Sequence, residues 1–240
     1  MMSSYIKMNT VPPHQNWLLS VVLSSRLWRT TLATLVAFLS FSVTAHASST
    51  TEKKSVTTTT INPGLLPQTS VQPSISTKGG SDLYVIMTKL WRDILSNNVV
   101  AADRLMFPEQ AYIQVKDEPY PASDYVYRLR YLFNLDIGTY RTFLLQKGKP
   151  VLRGILTSPN DVQWIPIEAC YNKVGYWHLP GVRFVFAYGK VTESVGVLSI
   201  ISWRGGWYFI HLGQYQATGK NGQIYAFANG SGYPGPAGSC

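Results

Sequence analysis

Near Pro150 the spacing of apolar residues changes from a helical period to a strand period, and this change limits the possible folds more than any other feature of the chain. Before it, Leu83, Ile86, Met87, Leu90, Trp91, Ile94 and Leu95 recur as one face of an amphipathic helix. Ser81 or Asp82 opens that helix and Asn97-Asn98 closes it. A shorter helical stretch over 99–107 stops at Pro108. A second long helix begins at Ser123-Asp124, with Val126, Leu129, Phe133, Ile137, Tyr140 and Leu144 as its stripe. Lys147, Gly148 and Pro150 supply its C-terminal cation, cap and stop. Gly138 costs this helix up to ~1 kcal/mol and is a candidate kink.

Beyond Pro150 the pattern predicts strands over 151–157, 162–170, 182–188, 191–203 and 207–212. Val182, Phe184, Phe186 and Tyr188 alternate with Arg183, Val185 and Ala187, so one face is apolar. Gly189-Lys190 and Arg204-Gly205 are hairpin turn candidates. Helices followed by an antiparallel meander imply an α+β domain over 81–229, its N-terminal helices packed on one face of a curved antiparallel sheet.

The segments outside that domain have different compositions. Residues 1–47 contain no Asp or Glu, and Lys7, Arg26 and Arg29 precede the apolar run 30–44 and Ala45-His46-Ala47. This reads as a signal peptide cleaved after Ala47, so the protein is expected to be secreted or held at the extracytoplasmic cell surface. Fifteen residues reach roughly 22 Å, short of a ~30 Å hydrocarbon core. An uncleaved anchor starting near Trp17 is the other reading, and it places Arg26 and Arg29 within the span. Membrane attachment is expected only in that case. Residues 48–80 are rich in Ser, Thr, Pro and Gly and read as a flexible spacer. Residues 230–240 form a Gly/Pro-rich tail ending in Cys240.

Charge and cysteine content exclude several function classes. The formal charge is +9, and without the three leader cations 18 positive side chains face 12 negative ones, about +6. The Lys and Arg residues are scattered singly, so nucleic acid is not an expected partner. Two cysteines are too few for a four-thiolate zinc site, and no H-E-x-x-H or close His pair points to another metal. No P-loop, dinucleotide fingerprint or G-x-S-x-G occurs, so no cofactor is expected. In an exported chain, Cys170 and Cys240 read most simply as one disulfide, with an intermolecular bond or free thiols as alternatives.

The order of elements, together with the segment Ser202-Trp203-Arg204-Gly205-Gly206-Trp207-Tyr208-Phe209-Ile210-His211-Leu212-Gly213, resembles the NTF2-like (SnoaL-like, cystatin-like) cone and its last hairpin over about residues 81–213. The motifs CYNxxGYWHxPG (170–181) and SxISWRGxWY (199–208) are similar to those of exported proteins of actinobacteria and related soil bacteria. That second likeness implies no activity. The NTF2-like resemblance implies a cone with an interior pocket, and it covers isomerases and dehydratases as well as binding and assembly domains. Its enzymes place an Asp, His or Tyr inside the cone, where Asp103 has a cone-mouth position, although its neighbours Ala102 and Arg104 make it read as an exposed helix residue instead.

Candidate chemistry gathers in the aromatic stretch. Tyr171, Tyr176, Trp177, His178, Trp203 and Trp207 are the expected ligand-binding residues, for a small apolar ligand or a cell-envelope partner. His178 and His211 are the candidate catalytic bases; the plainer reading makes each a satisfied core or loop histidine. His211 is expected on the same strand face as Trp207 and Phe209. Glu168 and Glu193 read as strand carboxylates and Asp136 as a helix residue, with no spacing that pairs them for glycoside hydrolysis. The sequence thus leaves three functions open. They are a non-enzymatic exported binding domain, a cone-cavity isomerase or dehydratase with a His base, and a conjugation or secretion assembly subunit of the VirB8-like kind. It also leaves a homo-oligomer open.

Overall fold

A computed structural model describes Gly64 and residues 67–235 of the 240. The signal-peptide or anchor segment, most of the spacer and Cys240 lie outside the described residues. The described residues fall within one of two compact units, 57–240.

The helical half begins as its spacing predicts. Helix α1 runs Asp82–Ser96; the Ser81 hydroxyl accepts the Tyr84 N–H at its start, and Asn97 closes it in a left-handed conformation at φ 54°. Asn98 caps α2 (Val99–Asp103), which is shorter than expected because the chain leaves the helix at Arg104 and pairs with the sheet. There the Phe107 N–H donates to Phe209 O at 2.8 Å and the Phe209 N–H to Leu105 O at 3.1 Å. Helix α3 (Glu109–Val115) has no counterpart in the sequence reading. Then α4 (Pro121–Asp124) passes through a six-residue π-helical turn, Tyr125–Arg130, into α5 (Tyr131–Leu145) without interruption. The turn shifts the apolar stripe by one position, so Tyr125 is buried where Val126 was expected. Gly138 makes no break, since α5 is continuous through it.

The sheet is antiparallel and curved, in the order β1-β3-β4-β5, with β2 also on β3 and β6 on β4. The strands are β1 Val151–Leu156, β2 Gln163–Ile165, β3 Tyr176–Tyr188, β4 Val191–Trp203, β5 Gly206–His211 and β6 Ala228–Asn229. Both expected turns close the β3–β4 and β4–β5 hairpins, with Gly189, Arg204 and Gly205 at positive φ as such tight turns require. Strand β3 starts six residues earlier than expected. It absorbs Pro180 and Gly181 by bending at Gly181, φ +60°, where the ladder skips from Pro180↔Ser199 to Val182↔Val197. The strand expected over 162–170 shrinks to three residues, because Glu168, Cys170 and Tyr171 all adopt left-handed backbone.

Alternation sorts the two sheet faces. Val182, Phe184 and Phe186 of β3 and Val195 and Val197 of β4 face the helices, with Trp91 against Phe184 and Phe186 at centroid separations of 5.3 and 5.5 Å. Burying a ring of this size stabilises by roughly 1.5–3 kcal/mol. The molecule is therefore an α+β domain with N-terminal helices on a curved antiparallel sheet. Over the other face run the two ends of the described chain. The Trp177 and Trp207 indole N–H groups donate to Ser70 O at 2.8 Å and Ser74 O at 2.9 Å, and the Gln68 amide donates to Ser202 O at 3.0 Å. Residues 67–76, expected to be spacer, are in this way tied to the domain, because the indoles of an otherwise open sheet face need acceptors. From the other end, Arg183 donates to Ser231 O at 3.2 Å and to Ala226 O at 2.5 Å.

Candidate functional site

Between the helices and the helix-facing side of β3–β5 lies a cavity of about 660 Å³. Sheet residues Tyr176, His178, Ser199, Ile201, Ile210 and His211 line one wall. Phe107, Tyr112, Val115, Lys116, Arg128 and Leu129 line the other, with Tyr171 and Tyr215 among the remaining residues. His211 reaches this wall through an irregularity in β5. Ile200 pairs with Phe209 but Ser199 pairs with His211, so Ile210 is one residue extra. His211 consequently shares a face with Ser199, and Trp207 and Phe209 point to the opposite face. The strict alternation expected for these three residues does not hold.

Two histidines meet the cavity as neutral groups. His178 Nε2 and Ser199 Oγ share a hydrogen bond of 2.8 Å. Burial pulls His178 down to about 4 and His211 to about 3, the latter also lowered by the Arg128 and Lys116 charges. The His211 ring meets Tyr215 edge-on at 5.4 Å. Among the described residues neither histidine forms an ion pair with a carboxylate.

The helical wall carries a charged cluster. Asp124 accepts from Arg128 Nε and Nη2, both at 2.5 Å, and from the Tyr112 hydroxyl at 2.5 Å. Burial would raise the Asp124 carboxyl, but the bonds from Arg128 and Tyr112 outweigh it and hold it below the usual range. Tyr112 Oη also receives Arg128 Nη2 at 3.1 Å and lies 3.1 Å from Glu118 Oε1. Lys116 Nζ donates to Cys170 O at 2.9 Å, and burial lowers its pKa.

Of the six expected binding residues, Tyr171, Tyr176 and His178 line the cavity, with Tyr171 80% exposed. Trp177 packs edge-on to Trp164 at 5.6 Å on the outer face, and Trp207 is held there by Ser74. Trp203 faces inward but is sealed in the core, its ring edge-on to Phe107 at 5.8 Å. Asp103 does not line the cavity. Glu168 is exposed in a turn rather than on a strand. Glu193 is buried against Lys147, with which it forms an ion pair. Asp136 is spent on backbone, accepting the Gly213 N–H at 2.8 Å and the Gln223 N–H at 2.7 Å.

Sequence reasoning missed Tyr112, Lys116, Asp124, Arg128 and Ser199. Two signals were present. Ser199 is the lone polar residue in the inward series Val195, Val197, Ser199, Ile201, Trp203, and Asp124–Arg128 has the i, i+4 ion-pair spacing. Among the described residues no group of three or more His, Cys, Asp or Glu could hold a metal, and no helix is long and apolar enough to cross a membrane. Compared with protein-family models, curated proteins and solved structures, the chain finds no match.

Proposed function

We propose that this is an NTF2-like binding domain of an exported protein and that its interior cavity takes a small, largely apolar ligand without chemical turnover. The observation that carries the reading is the cavity itself. At about 660 Å³ it lies within the ~300–1,000 Å³ range of small-molecule sites, with apolar walls that include Val115, Leu129, Leu198, Ile201 and Ile210 and with convergent polar and charged groups beside them. The two histidines support binding over turnover. A general base works best with a pKa near the operating pH, and burial takes both far below it.

The test is displacement of a neutral fluorescent probe, N-phenyl-1-naphthylamine, from the purified protein. Saturable binding that Ile201→Trp abolishes by filling the cavity supports the reading; no saturable binding refutes it. Export is tested by sequencing the N-terminus of protein recovered from the culture medium, where a start after Ala47 is expected.

The His178–Ser199 bond favours a second reading, a cavity enzyme with His178 as base. It requires activity that His178→Gln removes while the probe still binds.

A further inference from the structure

The charged end of the cavity holds Lys116 and Arg128 beside Asp124 and Glu118. Arg128 gives Nε and Nη2 to Asp124, and that pair is closed. Its remaining nitrogen, Nη1, is buried without a hydrogen-bond partner. A buried donor left unpaired costs about 1–3 kcal/mol, and because this nitrogen has no open surface Arg128 contributes charge at this end rather than a contact. Lys116 meets the same cavity. Its ammonium donates to the Cys170 carbonyl and forms no ion pair among the described residues, which leaves two N–H donors.

The remaining lining is apolar where it continues from these two cations: Val115 and Leu129 on the helical side, Ile201 and Ile210 on the sheet. At His211 the Arg128 and Lys116 charges lower the pKa and Asp124 opposes them, while at Lys116 the largest opposing charge effect comes from Glu118.

We infer that the cavity binds a small amphipathic monocarboxylate, its chain against Val115, Leu129, Ile201 and Ile210 and its carboxylate on Lys116 Nζ, with Arg128 lining the same end. The inference rests on the ligand-binding reading above and adds the ligand's head group. A carboxylate offers acceptors to the two Lys116 N–H groups left after the bond to Cys170 O. A phosphate dianion would carry a second charge and a larger hydration shell into an apolar chamber.

The experiment compares decanoate, decanol and decylamine at pH 7 on the full chain, by calorimetry and by displacement of the neutral probe. Decanoate is expected to bind about tenfold more tightly than decanol, the difference a charge-assisted contact supplies, and decylamine more weakly than either. In Lys116→Met the decanoate advantage is expected to vanish, and in Arg128→Gln to fall several-fold. Lys116→Met keeps the test decisive if loss of the Asp124 partner unfolds Arg128→Gln. Equal affinity of decanoate and decanol, or an unchanged decanoate advantage in Lys116→Met, overturns the carboxylate inference and leaves apolar binding standing. If the probe itself does not bind, both fall together.

Discussion

The Gly235 N–H donates to the Gly181 carbonyl at 3.1 Å, and the two glycines approach so closely that a Cβ on Gly181 would lie 2.5 Å from the Gly235 nitrogen. This contact fixes the C-terminal segment to the bend of β3. Gly181→Ala combines left-handed strain, about 1–2 kcal/mol, with a clash that only movement of the tail relieves. The expected result is a loss of about 2–3 kcal/mol in urea unfolding, together with faster proteolysis within 230–235. Gly205→Ala is the comparison, since Gly205 has positive φ but open space around it, and about 1 kcal/mol is expected there. Equal costs and equal cleavage of the two variants would show that the tail does not depend on this contact.

Asp136 gives the stability a pH dependence of known sign. Burial raises its carboxyl to about 6 against the bonds from Gln223 and Gly213, so between about pH 4 and 6 the folded chain holds more protons than the unfolded one. Asp136 therefore withdraws roughly 2–3 kcal/mol of stability as pH rises through that window. The depressed histidines act in the opposite sense, withdrawing stability as pH falls below their unfolded value near 6.5. In Asp136→Asn the contribution of Asp136 is gone while those of the histidines and Asp124 remain, and the expected outcome is a steeper loss of stability toward acid than in the parent. Urea midpoints at pH 4.5, 5.5 and 7 measure this, and parallel profiles would contradict it.

Tyr140 is fully buried, and its hydroxyl ties three backbone segments together. It lies 2.7 Å from Gly196 O and 3.0 Å from Leu212 O, and accepts the Tyr225 N–H at 3.0 Å. Tyr140→Phe leaves that N–H and those carbonyls without the hydroxyl, at an expected cost of about 1–3 kcal/mol. Faster amide exchange at Tyr225 in this variant is the specific readout; a global loss with unchanged exchange there would place the effect elsewhere.

The pairing of Cys170 with Cys240 is a proposal, since Cys240 lies outside the described residues. A bond between them closes a loop of about 70 residues and contributes roughly 4 kcal/mol by chain entropy. Alkylation of the unreduced protein followed by mass measurement is expected to label neither cysteine. Two labels would refute the bond.

Local signals carried most of the fold. Helix α1 and its two caps, the limits of β4 and both hairpin turns lie where short-range spacing puts them, because each is set by residues within a few positions of one another. The misplaced features depend on distant partners. Strand β3 extends through Pro180 and Gly181 only because β4 and β2 pair along it, and His211 turns inward only because Ile210 is accommodated opposite β4. The site shows the same division. Tyr176 and His178 were legible as an aromatic cluster, whereas Lys116 just beyond α3 and Arg128 in the π-helical turn reach the cavity through tertiary packing.

The π-helical turn at Tyr125–Arg130 amounts to a single residue inserted into a helix that continues unchanged to Leu145. Such an insertion separates two tasks that a regular helix would couple. Downstream, Phe133, Ile137, Tyr140 and Leu144 keep their register in the core. Within the turn, the wider coil sets which side chains reach the cavity. Removing one residue there would rotate the preceding segment by about 100° relative to α5 and carry Asp124 and Tyr125 away from their partners. The length of this one turn thus sets the cavity wall independently of the register of α5 in the core behind it.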